Sequence, residues 1–167
     1  MKNVLALSGS IRTDSTSERI LRFMAEHYRE ELTVEVYEDL ARLPYFNPDT
    51  ETPAGVTHFL EKIERADGIL ICTPEYVFSL PGVLKNALEW TVATTVFADK
   101  PTALIVASTS GEHAYESLTL IMETLGAAIH ESSTLLIKGA KSKLNAQGHV
   151  IDQEARRGLD TLIQSFI

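Results

Sequence analysis

Three short segments of the chain gather residue types that hold and orient small ligands. The first, Ser8-Gly9-Ser10-Ile11-Arg12-Thr13-Asp14-Ser15-Thr16-Ser17, crowds hydroxyl side chains around a single guanidinium. Such a donor set suits an anion of phosphate type, with Arg12 able to grip two oxygens at once. The second, Thr73-Pro74-Glu75-Tyr76-Val77-Phe78-Ser79-Leu80-Pro81-Gly82, is stiffened by two prolines and carries aromatics where a plain connection would be polar. A flat ligand could rest against Tyr76 or Phe78 while backbone N–H groups meet its ring heteroatoms. The third, Ser108-Thr109-Ser110-Gly111-Glu112-His113, brings small residues, of which Gly111 permits close backbone approach.

Each segment also has a plain structural reading. Ser15, with Glu18 three places later, forms a capping box that needs no ligand, and Arg12 then serves only as a solvated residue. The aromatics of the second segment equally suit packing on a sheet or against a second subunit, and His113 suits a helix start. Neither a GxGxxG fingerprint nor a GxxxxGKS/T phosphate loop is present.

The elements around these segments position them. Val4–Leu7, Ile69–Cys72, Ala103–Ala107 and Leu135–Ile137 are solid apolar runs, as expected of parallel strands covered on both faces. Leu32-Thr33-Val34-Glu35-Val36 alternates instead, as a half-exposed edge strand does. Helical stripes separate the runs: Ile20, Leu21, Met24, Tyr28 after Ser15; Phe59, Leu60, Ile63 after Thr52-Pro53; Leu84, Ala87, Leu88, Val92 after Pro81. A fourth stripe, Leu118, Ile121, Met122, Leu125, stops at Gly126, and a fifth from Ala155 to Phe166 follows Asp152 as cap. Five βα repeats predict one doubly wound domain over residues 1–167: three α/β/α layers around a five-stranded parallel sheet of order 2-1-3-4-5. That order puts the alternating strand at an edge. Ligands of such sheets lie beyond the carboxyl ends of the strands near the switch point, where all three segments fall.

Composition removes several function classes. With 167 residues, 44% apolar and 23% charged, the chain is an ordinary globular length and mix. A net charge of −8 has the wrong sign for a general nucleic-acid or acidic-membrane binder. No apolar run approaches the roughly 20 residues of a bilayer span, and the lone Cys72 can make no internal disulfide. A cytoplasmic protein is expected. The five histidines show no metal-ligand spacing, so no metal site is predicted. Cys72-Thr73 stands at the end of the third strand where a phosphoacceptor receiver would need Asp.

Two motifs together carry a resemblance. Gly9-Ser10-Ile11-Arg12…Ser15, and the long run Pro74-Glu75-Tyr76-Val77-Phe78-Ser79-Leu80-Pro81-Gly82-Val83-Leu84-Lys85-Asn86-Ala87-Leu88-Glu89-Trp90, resemble the NADPH-dependent FMN reductase family, which includes flavodoxin-like quinone, chromate and azo-dye reductases. The resemblance implies FMN as cofactor, with Ser10, Arg12, Ser15, Thr16 and Ser17 at its phosphate. Pro74, Glu75, Tyr76, Val77 and Phe78 would border its ring, mainly through backbone, with Ser110 and Gly111 on the third side. It implies hydride from NADPH or NADH passing through FMN to a small electron acceptor, such as a quinone, azo compound, metal oxyanion or free flavin. No catalytic side chain is required, since the cofactor performs the bond chemistry. Tyr76, Phe78 and His113 would shape the acceptor pocket.

The chain departs from the family pattern in three places. Ser17 and Val77 stand where the family has Asn, often at the first position and usually at the second, and Glu112-His113 replaces a common run of glycines. The alternative of a different class is a flavodoxin-like electron carrier, or an FMN-dependent interaction protein, without NAD(P)H turnover of its own. A homodimer or homotetramer is expected, with a helix over 81–94 that carries Trp90 beside an apolar face for a neighbour to cover. Lys138, Lys141 and Lys143 read as a solvated basic cluster, or as an attractor for the phosphates of NADPH.

Overall fold

A strand covered on both faces needs helices above and below it, and the alternation of inward residues decides which helix each residue meets. The computed structural model describes residues 1–165, so the Phe166 position of the last stripe lies outside the described residues. The strands are β1 (Lys2–Ser8), β2 (Leu32–Val36), β3 (Gly68–Thr73), β4 (Thr102–Ser108) and β5 (Thr134–Lys138). The helices are α1 (Thr16–His27), α2 (Ala54–Arg65), α3 (Gly82–Glu89), α4 (Glu112–Thr124) and α5 (Gln153–Gln164). All five strands pair in parallel in the order β2-β1-β3-β4-β5, as expected.

Period-2 alternation divides the core into two halves. Leu5 and Leu7 of β1 join Ile69 and Ile71 of β3 and Leu104 and Val106 of β4 under α2, α3 and α4. Val4 and Ala6, with Leu70, Cys72 and Ile105, face α1 and α5 on the other side. β2 lies at one edge and shows the alternating burial that its sequence predicts. β5 lies at the other edge, so Leu135 and Leu136, read as a solid run, are only half-buried.

The helix ends differ from expectation in small, explicable ways. Pro53 and Pro81 hold extended backbone just before α2 and α3, rather than within the first turn. Ser15 caps α1 by accepting from the Glu18 N–H at 3.2 Å. The return arm of the box goes elsewhere: a Glu18 carboxylate oxygen accepts from the Asp14 N–H at 3.1 Å, because the Ser15 N–H already donates to the Arg12 carbonyl. Asp152 caps α5 through the Ala155 N–H at 2.9 Å. Trp90 is not left for a neighbour: it ends α3, is buried, and donates its indole N–H to the Pro44 carbonyl at 2.8 Å. Among the described residues, no helix is long and apolar enough to cross a membrane.

Candidate functional site

The ends of β1, β3 and β4 bring the three segments to one edge of the sheet. Two contacts join the first to the second. The Gly9 N–H donates to the Cys72 carbonyl at 2.8 Å, and the Ser10 and Tyr76 hydroxyls lie 3.5 Å apart.

The first loop keeps its donors near the start of α1. Thr16 and Ser17 open the helix, so their N–H groups have no acceptor one turn back. Ser10, Ser15 and Ser17 are buried, while Arg12 is exposed, and no carboxylate forms an ion pair with Arg12 among the described residues. The nearby carboxylates are matched by other cations: Asp14 pairs with Arg19 at 2.8 Å and Glu18 with Arg22 at 2.7 Å. An added anion therefore meets one free guanidinium and a helix start, with the local negative charge largely neutralised.

Ser17 is the exception in this set. Its hydroxyl is fully buried without a hydrogen-bond partner, yet it lies close enough to Cys72 to oppose weakly the burial that pushes that thiol up to about 12. The Cys72 thiol is a poor acceptor and leaves the Ser17 hydroxyl unsatisfied. An orphaned buried hydroxyl at a helix start has a donor to spare, and this donor set fits a phosphate group.

The second loop ends in a tight turn. The Tyr76 N–H donates to the Ser79 carbonyl at 2.9 Å, and the Ser79 N–H returns a bond to Tyr76 at 3.0 Å. Between them Val77 and Phe78 have φ of +52° and +54°. Two left-handed residues closed by such a reciprocal pair make a type I′ turn, whose usual occupants are Asn and Gly. The turn also consumes the Tyr76 N–H, whereas those of Val77 and Phe78 have no partner among the described residues. Both side chains stand in solvent, Val77 at 95% exposure and Phe78 at 73%.

Glu75 is expected at the ring mainly through its backbone, and its side chain is engaged elsewhere. Its carboxylate crosses to the third loop, accepting from the Ala114 N–H at 3.0 Å and from the Ser110 hydroxyl at 3.2 Å. The Ala114 amide first, then Ser110 and the Gly111 and His113 amides, hold this carboxyl below the ordinary glutamate range. The reason is local: α4 starts after Gly111, at φ +103°, which has no side chain to cap the helix. Glycine cannot be replaced there, because a β-carbon would stand 2.9 Å from Leu136 Cδ1 and 3.0 Å from Val106 Cγ1. Its small size thus serves the chain's own core, and Glu75 supplies the missing cap from another loop. A helix start with glycine at the cap position was the legible sign that a cap must come from elsewhere.

The His113 ring follows from the same arrangement. It meets Phe78 edge to face, with centroids 5.2 Å apart. The basic cluster is largely spoken for: Lys138 pairs with Glu112, and Lys143 with Asp152 at 3.4 Å.

Comparison with known proteins gives the family. The family model for NADPH-dependent FMN reductase matches residues 2–142. The NADH:(hydroxy)cinnamate reductase subunit CrdA of Vibrio ruber is 34% identical over 173 residues, spanning 99% of this chain and 85% of that protein. An NADPH:quinone oxidoreductase of Arabidopsis thaliana is also 34% identical, over 98% of this chain and 89% of its own length. Among solved structures, the flavoenzyme NAD(P)H:(acceptor) oxidoreductase FerB of Paracoccus denitrificans superposes with a TM-score of 0.80 at 24% identity, over 99% of this chain and 95% of that one. This chain belongs to the NADPH-dependent FMN reductase family.

Proposed function

We propose that this family member oxidises NADPH or NADH and passes the electrons through FMN to a small planar acceptor at the rim of the three loops. The observation that carries the reading is the continuity of that rim. Loop one meets loop two at Ser10 and Tyr76, and loop two meets loop three at Glu75 and Ala114. When bound, FMN supplies the hydride chemistry, taking two electrons and a proton from the nicotinamide and delivering them to the acceptor.

The chain's residues bind and orient. The phosphate end falls to Arg12, the hydroxyls of Ser10, Ser15, Thr16 and Ser17, and the first amides of α1. The ring end falls to Pro74, Tyr76, Val77, Phe78 and the Glu75 backbone, and the unpartnered amides of the turn tip would stabilise negative charge developing on a bound ring. Ser110 and Gly111 close the third side. A quinone taking two electrons also needs two protons: one arrives with the hydride, and water at the exposed tip supplies the other. No protein acid is required.

Loading with FMN, removing the excess and adding NAD(P)H without oxygen tests the reading. Retained flavin that bleaches supports it. Retained flavin that NADPH and NADH both fail to bleach marks an electron carrier, and no retained flavin overturns the reading.

The same proposal places the protein in the cytoplasm as a homodimer or homotetramer. With Trp90 buried, the apolar face open to a neighbour is the groove of Phe46, Leu88, Val92, Leu120, Ile121 and Leu125, about 350 Å³ between α3 and α4. Val92 and Leu120 stand exposed along it. Light scattering that finds only an 18.5 kDa species would remove the oligomer.

A further inference from the structure

Loops two and three touch at two points, and both involve the first turn of α4. One is the Glu75 carboxylate on the Ala114 N–H and the Ser110 hydroxyl. The other is the edge-to-face contact of Phe78 with His113, the residue just before Ala114. The His113 ring has no hydrogen bond to loop two among the described residues, and only its backbone amide faces Glu75, so what sets the ring is the register of the helix start. Gly111 cannot set that register with a side chain, and its φ of +103° leaves the turn without an internal cap. The Phe78 backbone is held by the type I′ turn with its reciprocal Tyr76–Ser79 bonds.

We propose that Glu75 is a positioning residue: seated on the first turn of α4, it sets the His113 ring against Phe78, and this ring pair walls the acceptor side of the site. The inference rests on the functional reading above. It assigns the Glu75 side chain a role through His113. A wall of two rings favours a planar aromatic acceptor, which gains contact with it, over a compact inorganic one, which does not. An aromatic contact of ordinary strength corresponds to roughly a two- to twelve-fold change in relative kcat/KM.

The test compares the FMN-loaded enzyme and its variants with menadione and with ferricyanide, at saturating NADH. Phe78→Ala and His113→Ala are each expected to lower the ratio of kcat/KM for menadione over ferricyanide by about five-fold. Glu75→Ala lowers the ratio by the same factor although both rings remain, and Glu75→Ala/His113→Ala lowers it no further than either single change. Glu75→Gln keeps an oxygen for the Ala114 N–H and restores most of the ratio. Glu75→Asp keeps the charge but falls one methylene short, so it repeats the alanine result in a conservatively altered chain. In the flavin-free protein, the Ala114 amide exchanges faster in Glu75→Ala and Glu75→Asp than in Glu75→Gln. A purely structural role would depress both acceptors equally, and a double variant falling by the product of its singles would mean independent action; either result overturns the proposal. A wild-type enzyme that reduces ferricyanide, with ratios unmoved by all the variants, leaves the functional reading standing and sinks this inference alone. Failure of the wild type with both acceptors takes down both.

Discussion

A β-carbon on Gly9 would stand 2.1 Å from the Thr73 hydroxyl and 2.5 Å from Thr73 Cβ, because the exits of β1 and β3 press together at the switch point of the sheet. The Gly9 N–H donation to Cys72 at 2.8 Å locks the approach. The crevice where loops one and two meet is thus set by one absent side chain.

Gly9→Ala should therefore destabilise the protein by roughly 3 kcal/mol, the upper end of what overpacking costs. Chemical denaturation measures it. Adding Thr73→Ala should recover only part of the loss, since Thr73 Cβ stays in the way; full recovery would mean that the hydroxyl alone makes the clash.

Arg12→Ala should weaken FMN about 10- to 150-fold, the worth of a charge-assisted hydrogen bond of about 1.5–3 kcal/mol. Since Arg12 is exposed, the unfolding midpoint of the flavin-free protein should stay put. Flavin fluorescence titration reads the first quantity, and an unchanged dissociation constant would place the phosphate elsewhere.

Val77→Asn should stabilise. A β-branched residue at φ +52° bears a left-handed penalty of about 1–2 kcal/mol that Asn largely escapes. The exposed Val77 side chain gives up little burial in exchange. For a chain of this size, a gain of about 1 kcal/mol raises the melting temperature by about 2–4 °C. Asn also restores the usual family residue, so FMN should bind more tightly; an unchanged melting temperature would show that the turn relaxes around valine at no cost.

The Glu75 cap should make part of the stability acid-sensitive. Its carboxyl is held below the ordinary 4.5 in the folded protein, first by the Ala114 amide and then by Ser110. The unfolded chain therefore takes up the proton first. The contribution is complete above pH 4.5 and is lost as the pH falls through the lower folded value. The stability difference between wild type and Glu75→Gln should be constant near neutrality and shrink below that point. A difference independent of pH would mean that the charge contributes nothing.

Much of this architecture was legible in one dimension. Solid runs marked strands covered on both faces, the alternation of Leu32–Val36 marked an edge, and Ser15 and Asp152 marked helix starts, because burial and capping leave local periods and local residue types. The three loops followed from strand order, and their hydroxyls, Arg12 and aromatics followed from composition. What distant partners decide was not legible. Glu75 meets Ala114 across 39 residues, and Trp90 meets Pro44 across 46, so neither leaves a period along the chain. The solid run of β5 proved half-exposed because the edge of a sheet is a property of neighbours. The left-handed turn at Val77 and Phe78 contradicts both residues' own preference, and only the geometry that closes loop two holds it there. Local sequence determined which elements form and which loops gather the candidate residues; the tertiary structure decided where each side chain points, because that depends on contacts between segments the chain brings together only by folding.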